Sequence, residues 1–366
     1  MLLSFAVKNY RGFAERIYWD LTNTSNYAFN ADAVKDGVIK NGIVYGPNGS
    51  GKSNFALALF DIENHLSQKW KKADYYVNYP TAGREHLPVE FEYRFRFGGD
   101  ELLYVYSKDK DGRLLSENLS VNGLQVFRKD ADVLSVSDMY PIEKTVKDEL
   151  KNSANSMSLI NFIAATFPLG RGHYIIALKE FVDSMLWFKS LDKREFIGLE
   201  NNASFQEEEI IKMNLVDDFR QFLQSVSGQE FDFVRPGEGD KILKCMINGA
   251  MVPFSKIAST GTVSLQVLYI WMRKMDKASF VFIDEFDAFY HFRLAFEVCR
   301  QLFARKAQVF VSSHNTYLMA NDLLRPDCNF ILDNNVIKPL CDCTDKELRF
   351  GHNIEKLFRG NAFSTL

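Results

Sequence analysis

The chain has 366 residues, of which 46% are hydrophobic, and its formal net charge is −3. That length accommodates a large core and two or three domains. The near-balanced charge argues against a protein whose whole surface binds nucleic acid electrostatically, and it leaves a local basic groove open. The apolar run at the start is too short for a signal peptide, and no apolar stretch reaches the length of a membrane span. We therefore expect a cytoplasmic protein without a membrane partner, and free thiols at its five cysteines.

The first part of the chain predicts short strands and then a phosphate-binding loop. Residues 46–53 read Gly-Pro-Asn-Gly-Ser-Gly-Lys-Ser, a complete G-x-x-x-x-G-K-S pattern. A β-prone run, 43–45, precedes the loop, and a stretch of helical composition, 53–66, follows it. The loop therefore lies at a helix N-terminus, where backbone N–H groups and the helix dipole favour phosphate. We expect a bound nucleoside triphosphate, with Lys52 at its β/γ-phosphates and Ser53 on Mg²⁺.

The pattern then changes from strands to helices. Apolar residues alternate in 89–97 and 102–106, and Gly98-Gly99-Asp100 separates the two runs, which predicts an antiparallel hairpin. From 141 to 228 the apolar residues recur at helical spacing, so we interpret this stretch as a helical insertion.

A second hairpin is predicted beyond the helical stretch. Its strands would be residues 231–233 and 242–246, with Asn248-Gly249 as a turn. After it the chain returns to an alternation of helices and strands.

The second half of a nucleotide site is predicted 232 residues beyond Lys52. The buried-strand run Phe280–Ile283 ends in Asp284-Glu285. Such a strand places the first carboxylate near Mg²⁺ and lets the second polarise the attacking water. Another strand ends at His314, which is placed to donate a hydrogen bond to a γ-phosphate; the alternative for His314 is an ordinary loop histidine.

A short polar segment precedes the acidic strand. Ser259-Thr260-Gly261-Thr262 opens a helix predicted over 263–275. Small residues and hydroxyls at a helix N-terminus form an anion site, although such a tetrapeptide alone is only a helix cap. The order of phosphate loop, this segment, Asp284-Glu285 and His314 resembles the ATPase head shared by ABC, SMC and RecF-type proteins. The resemblance implies that the segment is a signature motif, which binds the γ-phosphate held by the opposite protomer.

The resemblance extends to both ends of the chain. Residues 3–13, 284–287, 313–316 and 351–357 resemble the compact bacterial AAA ATPases that are often encoded in anti-phage defence loci. In those systems the ATPase is typically found beside a separate effector, for example a TOPRIM-type nuclease in PARIS-like systems. The resemblance is weakest between 141 and 228.

We expect an α/β fold: an ABC/SMC-like P-loop ATPase head with a mixed sheet, an antiparallel N-terminal lobe and a helical insertion. The expected domains are an ATP-binding lobe with the phosphate loop and hairpins over 1–140, the helical insertion over 141–228, and a C-terminal lobe over 229–366. The C-terminal lobe would carry the signature-like segment, the Walker B strand and the switch histidine.

The expected ligands are ATP and Mg²⁺, and the expected catalytic residues are Glu285 and His314. The residues expected to bind the nucleotide are Gly46, Asn48, Gly49, Gly51, Lys52, Ser53, Asn54, Ser259 and Gly261. Ser53 and Asp284 are the expected metal ligands.

The function implied is an ATP-hydrolysing ATPase that dimerises around ATP and controls a partner effector in anti-phage defence. Its partners would be further copies of itself in a dimer or larger homo-oligomer, an effector from a neighbouring gene such as a TOPRIM-type nuclease, and a phage-encoded trigger. Two alternatives stay open: a RecF/SMC-like DNA-repair ATPase that acts directly on DNA, and a nucleotide-gated scaffold with negligible turnover. The run Lys69-Trp70-Lys71-Lys72 mixes cations with an aromatic ring, as DNA sites do, but a solvated helix end is the favoured interpretation.

Overall fold

A computed structural model describes residues 1–67, 73–131, 133–151, 157–189, 196–198 and 207–363. The run 69–72 lies outside these residues. The strands are β1 (Leu2–Lys8), β2 (Ile17–Asp20), β3 (Val34–Lys35), β4 (Val38–Ile39), β5 (Asn41–Tyr45), β6 (Val89–Phe97), β7 (Asp100–Lys108), β8 (Leu114–Val121), β9 (Leu124–Lys129), β10 (Leu134–Val136), β11 (Leu186–Lys189), β12 (Phe196–Gly198), β13 (Lys244–Ile247), β14 (Ala250–Pro253), β15 (Phe280–Asp284), β16 (Gln308–Ser313), β17 (Asn329–Asp333) and β18 (Val336–Pro339). The helices are α1 (Lys52–Leu59), α2 (Asp61–Leu66), α3 (Lys144–Lys151), α4 (Leu159–Thr166), α5 (Tyr174–Asp183), α6 (Glu207–Lys212), α7 (Val216–Ser227), α8 (Phe254–Ile257), α9 (Thr260–Lys274), α10 (Phe292–Phe303) and α11 (Ile354–Arg359). Within the described part of the chain, no helix has the length and apolarity needed to cross a membrane.

One large sheet is wholly antiparallel. Its seven strands run in the order β10-β9-β8-β7-β6-β1-β2. Phe97 pairs with Asp100 across Gly98 and Gly99, so the hairpin predicted between 89 and 106 is confirmed. The alternating residues Val89, Phe91, Tyr93 and Phe95 are buried, and the period of two therefore marks the face that packs on the core.

The second large sheet is mixed. Its order is β12-β11-β15-β16-β5-β17-β18, with β11, β15, β16, β5 and β17 parallel and the two outer strands antiparallel. All residues of β15, β16 and β5 are buried, as expected for parallel strands that are covered on both faces. The expected fold class, α/β with a mixed sheet and an antiparallel sheet, is confirmed.

The segment 141–228 is not wholly helical. It contains α3 to α7, but β11 and β12 also lie within it and extend the mixed sheet. Leu186 to Phe188 pair in parallel with residues 281–283 of β15. A short apolar run gives no helix or strand signal by its spacing alone, so its pairing with β15 decides its structure.

The second hairpin differs from its predicted register. Asn248 and Gly249 form the turn as expected, but the paired strands are β13 and β14, which flank the turn directly. Both turn residues have positive φ, 49° and 81°, the conformation that a two-residue hairpin turn requires. Phe233 makes only a single bridge, to Cys245.

The two large sheets are joined by buried contacts between β1 and β2 of the antiparallel sheet and β16 and β17 of the mixed sheet. The Gln308 side chain on β16 accepts a hydrogen bond from the Leu2 N–H at 2.7 Å and donates to the Leu2 carbonyl at 3.0 Å. Trp19 of the antiparallel sheet also packs edge-on against Phe310 and Phe330 of the mixed sheet. The expected N-terminal lobe is thus divided, because most of its strands form the antiparallel sheet while β5 lies inside the mixed sheet.

A buried ion pair holds the end of helix α1 against the antiparallel sheet. Asp61, which begins α2, is 0% exposed and accepts a hydrogen bond from Lys108 Nζ at 2.6 Å. The hydroxyls of Tyr75, Tyr79 and Tyr106 also donate to this carboxylate, at 3.1, 2.7 and 2.7 Å. Burial lowers the pKa of Lys108, and the charge of Asp61 opposes that shift. Removal of one partner should therefore be costly, because it leaves the other charge buried without its counter-ion.

We expect Lys108→Met to lower the free energy of unfolding by about 3–5 kcal/mol, because it leaves the buried Asp61 carboxylate without its cation. Urea unfolding followed by circular dichroism measures this. The matched control is Lys8→Met, whose ion pair with Glu90 is solvent-exposed and should contribute about 0–1 kcal/mol. Equal stability of the two variants would contradict a structural role for the buried pair.

Candidate functional site

The phosphate loop connects β5 to α1 and has the backbone conformation that its glycines permit. Gly49 and Gly51 have φ of 81° and 98°, in the left-handed region. A side chain on Gly46 would place its Cβ 2.4 Å from the Leu332 carbonyl oxygen. At Gly51 the same atom would lie 2.9 Å from the ring of Phe13, so the loop rests directly on this ring. These positions exclude larger residues, as a loop that wraps phosphate closely requires.

Lys52 is folded into the loop. Its Nζ donates hydrogen bonds to the carbonyl oxygens of Gly46 and Pro47, at 2.8 and 3.0 Å. The side chain is buried, with 6% exposed. Burial lowers the pKa of Lys52, while the charges of Asp284 and Glu285 raise it. The ammonium group is therefore held at the loop by carbonyl dipoles and lies within the electrostatic reach of the acidic pair.

Asp284 and Glu285 follow each other at the end of β15 but have different surroundings. Asp284 is fully buried, and its Oδ1 accepts a hydrogen bond from the Ser312 hydroxyl at 2.6 Å. Its second oxygen, Oδ2, is buried without a hydrogen-bond partner among the described residues. A buried carboxylate oxygen without a donor is suited to bind a cation or a water molecule that the cation holds.

Glu285 is placed by an uncommon backbone conformation. Its φ is 51°, in the left-handed region where residues other than glycine are infrequent. The Glu285 N–H donates to the Ser312 hydroxyl at 2.8 Å. The Ser312 oxygen thus donates to Asp284 and accepts from the next residue, which fixes the two acids relative to each other.

The end of β16 supplies a second group of polar residues. The Ser313 hydroxyl donates to Asp287 Oδ2 at 2.7 Å and accepts from the Asn315 N–H at 2.9 Å. Burial raises the pKa of Asp287, and the hydrogen bond from Ser313 opposes this shift. His314, between the two bonded residues, is exposed. The turn therefore presents this imidazole to the cleft while its neighbours anchor the backbone.

These elements meet around one cleft of about 550 Å³. Its lining residues are Asn48, Glu285, Asp287, Ala288, Tyr290, Phe292, His314 and Asn315. Strand order explains the meeting, because β16 lies between β15 and β5 and the carboxyl ends of these parallel strands share one edge of the sheet. Three residues predicted from the sequence, Asn48, Glu285 and His314, therefore come together.

Other predicted residues lie away from this cleft. Ser259 caps α9, accepting a hydrogen bond from the Thr262 N–H, and neither it nor Gly261 lines the cleft of its own chain. Gly261 instead packs on the backbone of the loop after β15, where an added Cβ would lie 3.1 Å from the Phe289 carbonyl oxygen. Asn54 accepts a hydrogen bond from Arg11 and lines a separate cleft on the other side of the phosphate loop.

Sequence reasoning assigned no role to Ser312, Ser313 or Asp287. Two of them are the last residues of the buried strand β16, and the third lies just beyond the acidic pair. A polar residue at the end of a buried parallel strand is the signal that marks this edge of the sheet. That signal identifies the edge, whereas the partner of each hydroxyl depends on which strands are neighbours.

A protein-family model described as "AAA domain, putative AbiEii toxin, Type IV TA system" matches residues 247–320. The matched stretch contains Ser259 to Thr262, Asp284-Glu285 and His314, and the phosphate loop lies outside it. Together with the complete loop, the match supports a P-loop ATPase of the AAA type. No curated protein was found to match the chain.

Solved structures resemble the chain over most of its length at low sequence identity. The SMC head domain from Thermotoga maritima is 17% identical, with 92% of this chain and 98% of that chain covered and a TM-score of 0.44. An Smc head domain bound to the C-terminal domain of ScpA, derived from Pyrococcus furiosus, is 14% identical, with 92% and 95% covered and a TM-score of 0.43. The recombination mediator protein RecF is 13% identical, with 93% and 98% covered and a TM-score of 0.39. At these low scores, the fold assignment rests on the strand order of this chain itself.

We expect Ser312→Ala to lower the free energy of unfolding by about 1–3 kcal/mol, because Asp284 loses its donor and the Glu285 N–H loses its acceptor in a buried site. The midpoint and slope of urea unfolding provide the measurement. Ser225→Ala serves as the control: this serine is exposed and bonds only within and beside its helix, so its change should stay within about 0.5 kcal/mol. If both variants unfold alike, the Ser312 bridge contributes nothing.

Proposed function

We propose that the protein binds ATP and hydrolyses it to ADP and phosphate. One observation carries this proposal: Asn48 of the phosphate loop, Glu285 at the acidic end of β15 and His314 line a single cleft although they lie far apart in the chain. Three features suit a triphosphate with its cation: the loop conformation, the position of Lys52 within the loop, and the Asp284 oxygen that has no hydrogen-bond partner among the described residues.

Each residue has a distinct part in this proposal. The loop N–H groups and Lys52 bind the phosphates, with Asn48 at the cleft wall. Mg²⁺ would be held by the Ser53 hydroxyl and by Asp284, and when bound it neutralises charge on the phosphate oxygens. Glu285 takes a proton from the water that attacks the γ-phosphorus, while His314 donates a hydrogen bond to that phosphate.

The surroundings of the two acids support this division of roles. Asp284 is fully buried and does not line the cleft, whereas Glu285 is partly exposed and lines it. A buried carboxylate with one free oxygen suits a metal or its water, and a carboxylate at the cleft surface suits contact with substrate water. The two acids are neighbours in the chain, yet their side chains have different surroundings, because the Glu285 backbone adopts the left-handed conformation.

We further propose that two copies close around ATP. The resemblance to ABC, SMC and RecF-type heads implies that Ser259 and Gly261 serve the cleft of a second copy. Their position supports this, because both lie outside the cleft of their own chain while Ser259 and Thr260 are exposed at the start of α9. In this proposal the N-terminus of α9 from a second copy completes the cleft.

For the biological role we propose ATP-controlled activity of a partner effector in anti-phage defence. The description of the matched family names a putative toxin of a toxin–antitoxin system, which supports a role in a system of several components. A conformational change in an ATPase affects another protein only if that protein binds the different nucleotide states of the ATPase with different affinities. Co-expression with the product of the flanking gene, followed by size-exclusion chromatography in each nucleotide state, tests this role.

The two alternatives predict different behaviour. A DNA-repair ATPase of RecF/SMC type would bind DNA by itself and hydrolyse ATP faster when DNA is present. A nucleotide-gated scaffold would bind ATP but show negligible turnover. Steady-state phosphate release with and without DNA separates all three functions.

We expect Lys52→Ala to weaken ATP binding about ten- to hundredfold, the effect of losing roughly 1.5–3 kcal/mol of charge-assisted hydrogen bonding. Isothermal titration calorimetry measures the affinity, and circular dichroism verifies the fold. The control is Lys256→Ala, an exposed lysine on α8. Unchanged affinity in folded Lys52→Ala protein would refute the phosphate-loop assignment.

We expect Glu285→Gln to bind ATP normally and to hydrolyse it about a hundredfold more slowly or worse, the scale of losing a general base. Slow turnover should also accumulate ATP-bound dimers, which analytical ultracentrifugation detects. Glu90→Gln, a change on the exposed face of the antiparallel sheet, is the matched control. Wild-type turnover in Glu285→Gln would mean that another residue activates the water.

A further inference from the structure

A second groove, of about 680 Å³, lies beside the nucleotide cleft. Its walls are helix α10, residues 317–322 after the switch histidine, and residues 350–355 near the end of the described chain. None of the residues predicted to bind or hydrolyse ATP lines this groove. It is therefore a separate feature of the surface.

The groove and the nucleotide cleft share a wall. Phe292 and Asn315 line the cleft, while the adjacent Arg293 and nearby Tyr317 line the groove. The rings of Phe292 and Tyr317 are in contact, with their centroids 4.7 Å apart. The Asn315 side chain accepts a hydrogen bond from the Tyr317 N–H at 3.1 Å, so the two sides of the wall are connected.

The floor of the groove is held in place by one buried amide. Asn321 is 6% exposed, and its Nδ2 lies within 3.1 Å of the carbonyl oxygens of Arg349, Phe350 and His352. This ties the segment after His314 to the segment that forms the opposite wall. The groove is thus preformed, and a ligand would not need to order it.

The surface of the groove is aromatic and acidic. Phe350 is 56% exposed and Tyr317 is 40% exposed. The charged lining residues are the carboxylates Glu297, Asp322 and Glu355 and one cation, Arg293. Glu297 and Glu355 have arginine partners on their own helices, whereas Asp322 is exposed and has no ion-pair partner in the described chain. Exposed aromatic rings beside such a carboxylate suit a ligand that is apolar and positively charged.

We propose that this groove docks a segment of a partner protein that presents an aliphatic or aromatic side chain next to lysine or arginine. The Phe292–Tyr317 wall couples its occupancy to the nucleotide cleft, and this coupling rests on the proposed ATP function. A nucleic acid fits the groove less well, because its phosphates would meet the exposed Asp322 carboxylate, which has no ion-pair partner among the described residues. By reciprocity, a segment whose affinity depends on ATP must change the affinity for ATP by the same factor.

A short fluorescein-labelled peptide that alternates lysine with leucine and phenylalanine is the probe, and fluorescence anisotropy measures its binding. We expect it to bind at least about tenfold more tightly than a counterpart with glutamate in place of lysine. Asp322→Lys should weaken it about tenfold, and Phe350→Ser should also weaken it. Glu238→Lys, which makes the same charge change at an exposed site elsewhere, should leave the affinity unchanged.

Coupling is tested by repeating the peptide titration on the Glu285→Gln protein with and without ATP. We expect the peptide affinity to differ about fivefold or more between these two conditions. Adding Lys52→Ala should abolish this change. Equal peptide binding by Asp322→Lys and wild type would overturn the docking site. So would displacement of the peptide by single-stranded DNA, or loss of self-association in Asp322→Lys, which would assign the groove to nucleic acid or to a second copy.

Failure of this proposal is distinguishable from failure of the ATP function. If Glu285→Gln binds ATP but the peptide affinity does not respond, the coupling through Phe292 and Tyr317 is wrong and the ATPase proposal stands. If no ATP binds at all, the ATPase proposal fails, while the comparison of Asp322→Lys with Glu238→Lys still decides whether the groove docks the peptide.

Discussion

The site depends on the position of β16 between β15 and β5. This order brings the acidic end of one strand, the polar end of the next and the phosphate loop after the third to a single edge of the sheet. Between Lys52 and Asp284 the chain runs for 232 residues, so no local structure could place them together. The Ser312 hydroxyl on β16 forms hydrogen bonds with both the Asp284 carboxylate and the Glu285 N–H, and these bonds fix the position of the acidic pair at the end of β15.

The antiparallel sheet has a supporting role that the mixed sheet alone could not provide. Phe13, in the connection between its strands β1 and β2, lies against Gly51, and the buried Asp61–Lys108 pair fixes the far end of the helix that begins with Lys52. Both ends of α1 are thus held by groups from the first third of the chain. A helix of this length gains most of its stability from such packing, because its own backbone hydrogen bonds are few.

The proposed nucleotide cleft and the proposed docking groove share one short segment in this fold. Residues 313–322 begin at the end of β16, pass the exposed His314, and then form one wall of the second groove. The Asn315 amide and the Tyr317 ring lie on opposite sides of the same turn. A displacement of this turn would therefore change the wall of the cleft and the wall of the groove together. The fold thus offers a short physical path between the proposed nucleotide cleft and the proposed docking groove.

The sequence by itself determined the local elements whose signals are local. These are the glycine-rich loop before α1, the hairpin around Gly98, the turn at Asn248 and the hydrophobic strand that ends in Asp284, because backbone conformation and the period of burial follow from neighbouring residues. Only the tertiary structure decided that residues 186–188 form a strand, that Ser312 bridges the two acids, and that Ser259 lies outside the cleft of its own chain. Each of these depends on contacts between residues distant in the chain, and the spacing of residues along the sequence carries no information about which distant strand or hydroxyl becomes a neighbour.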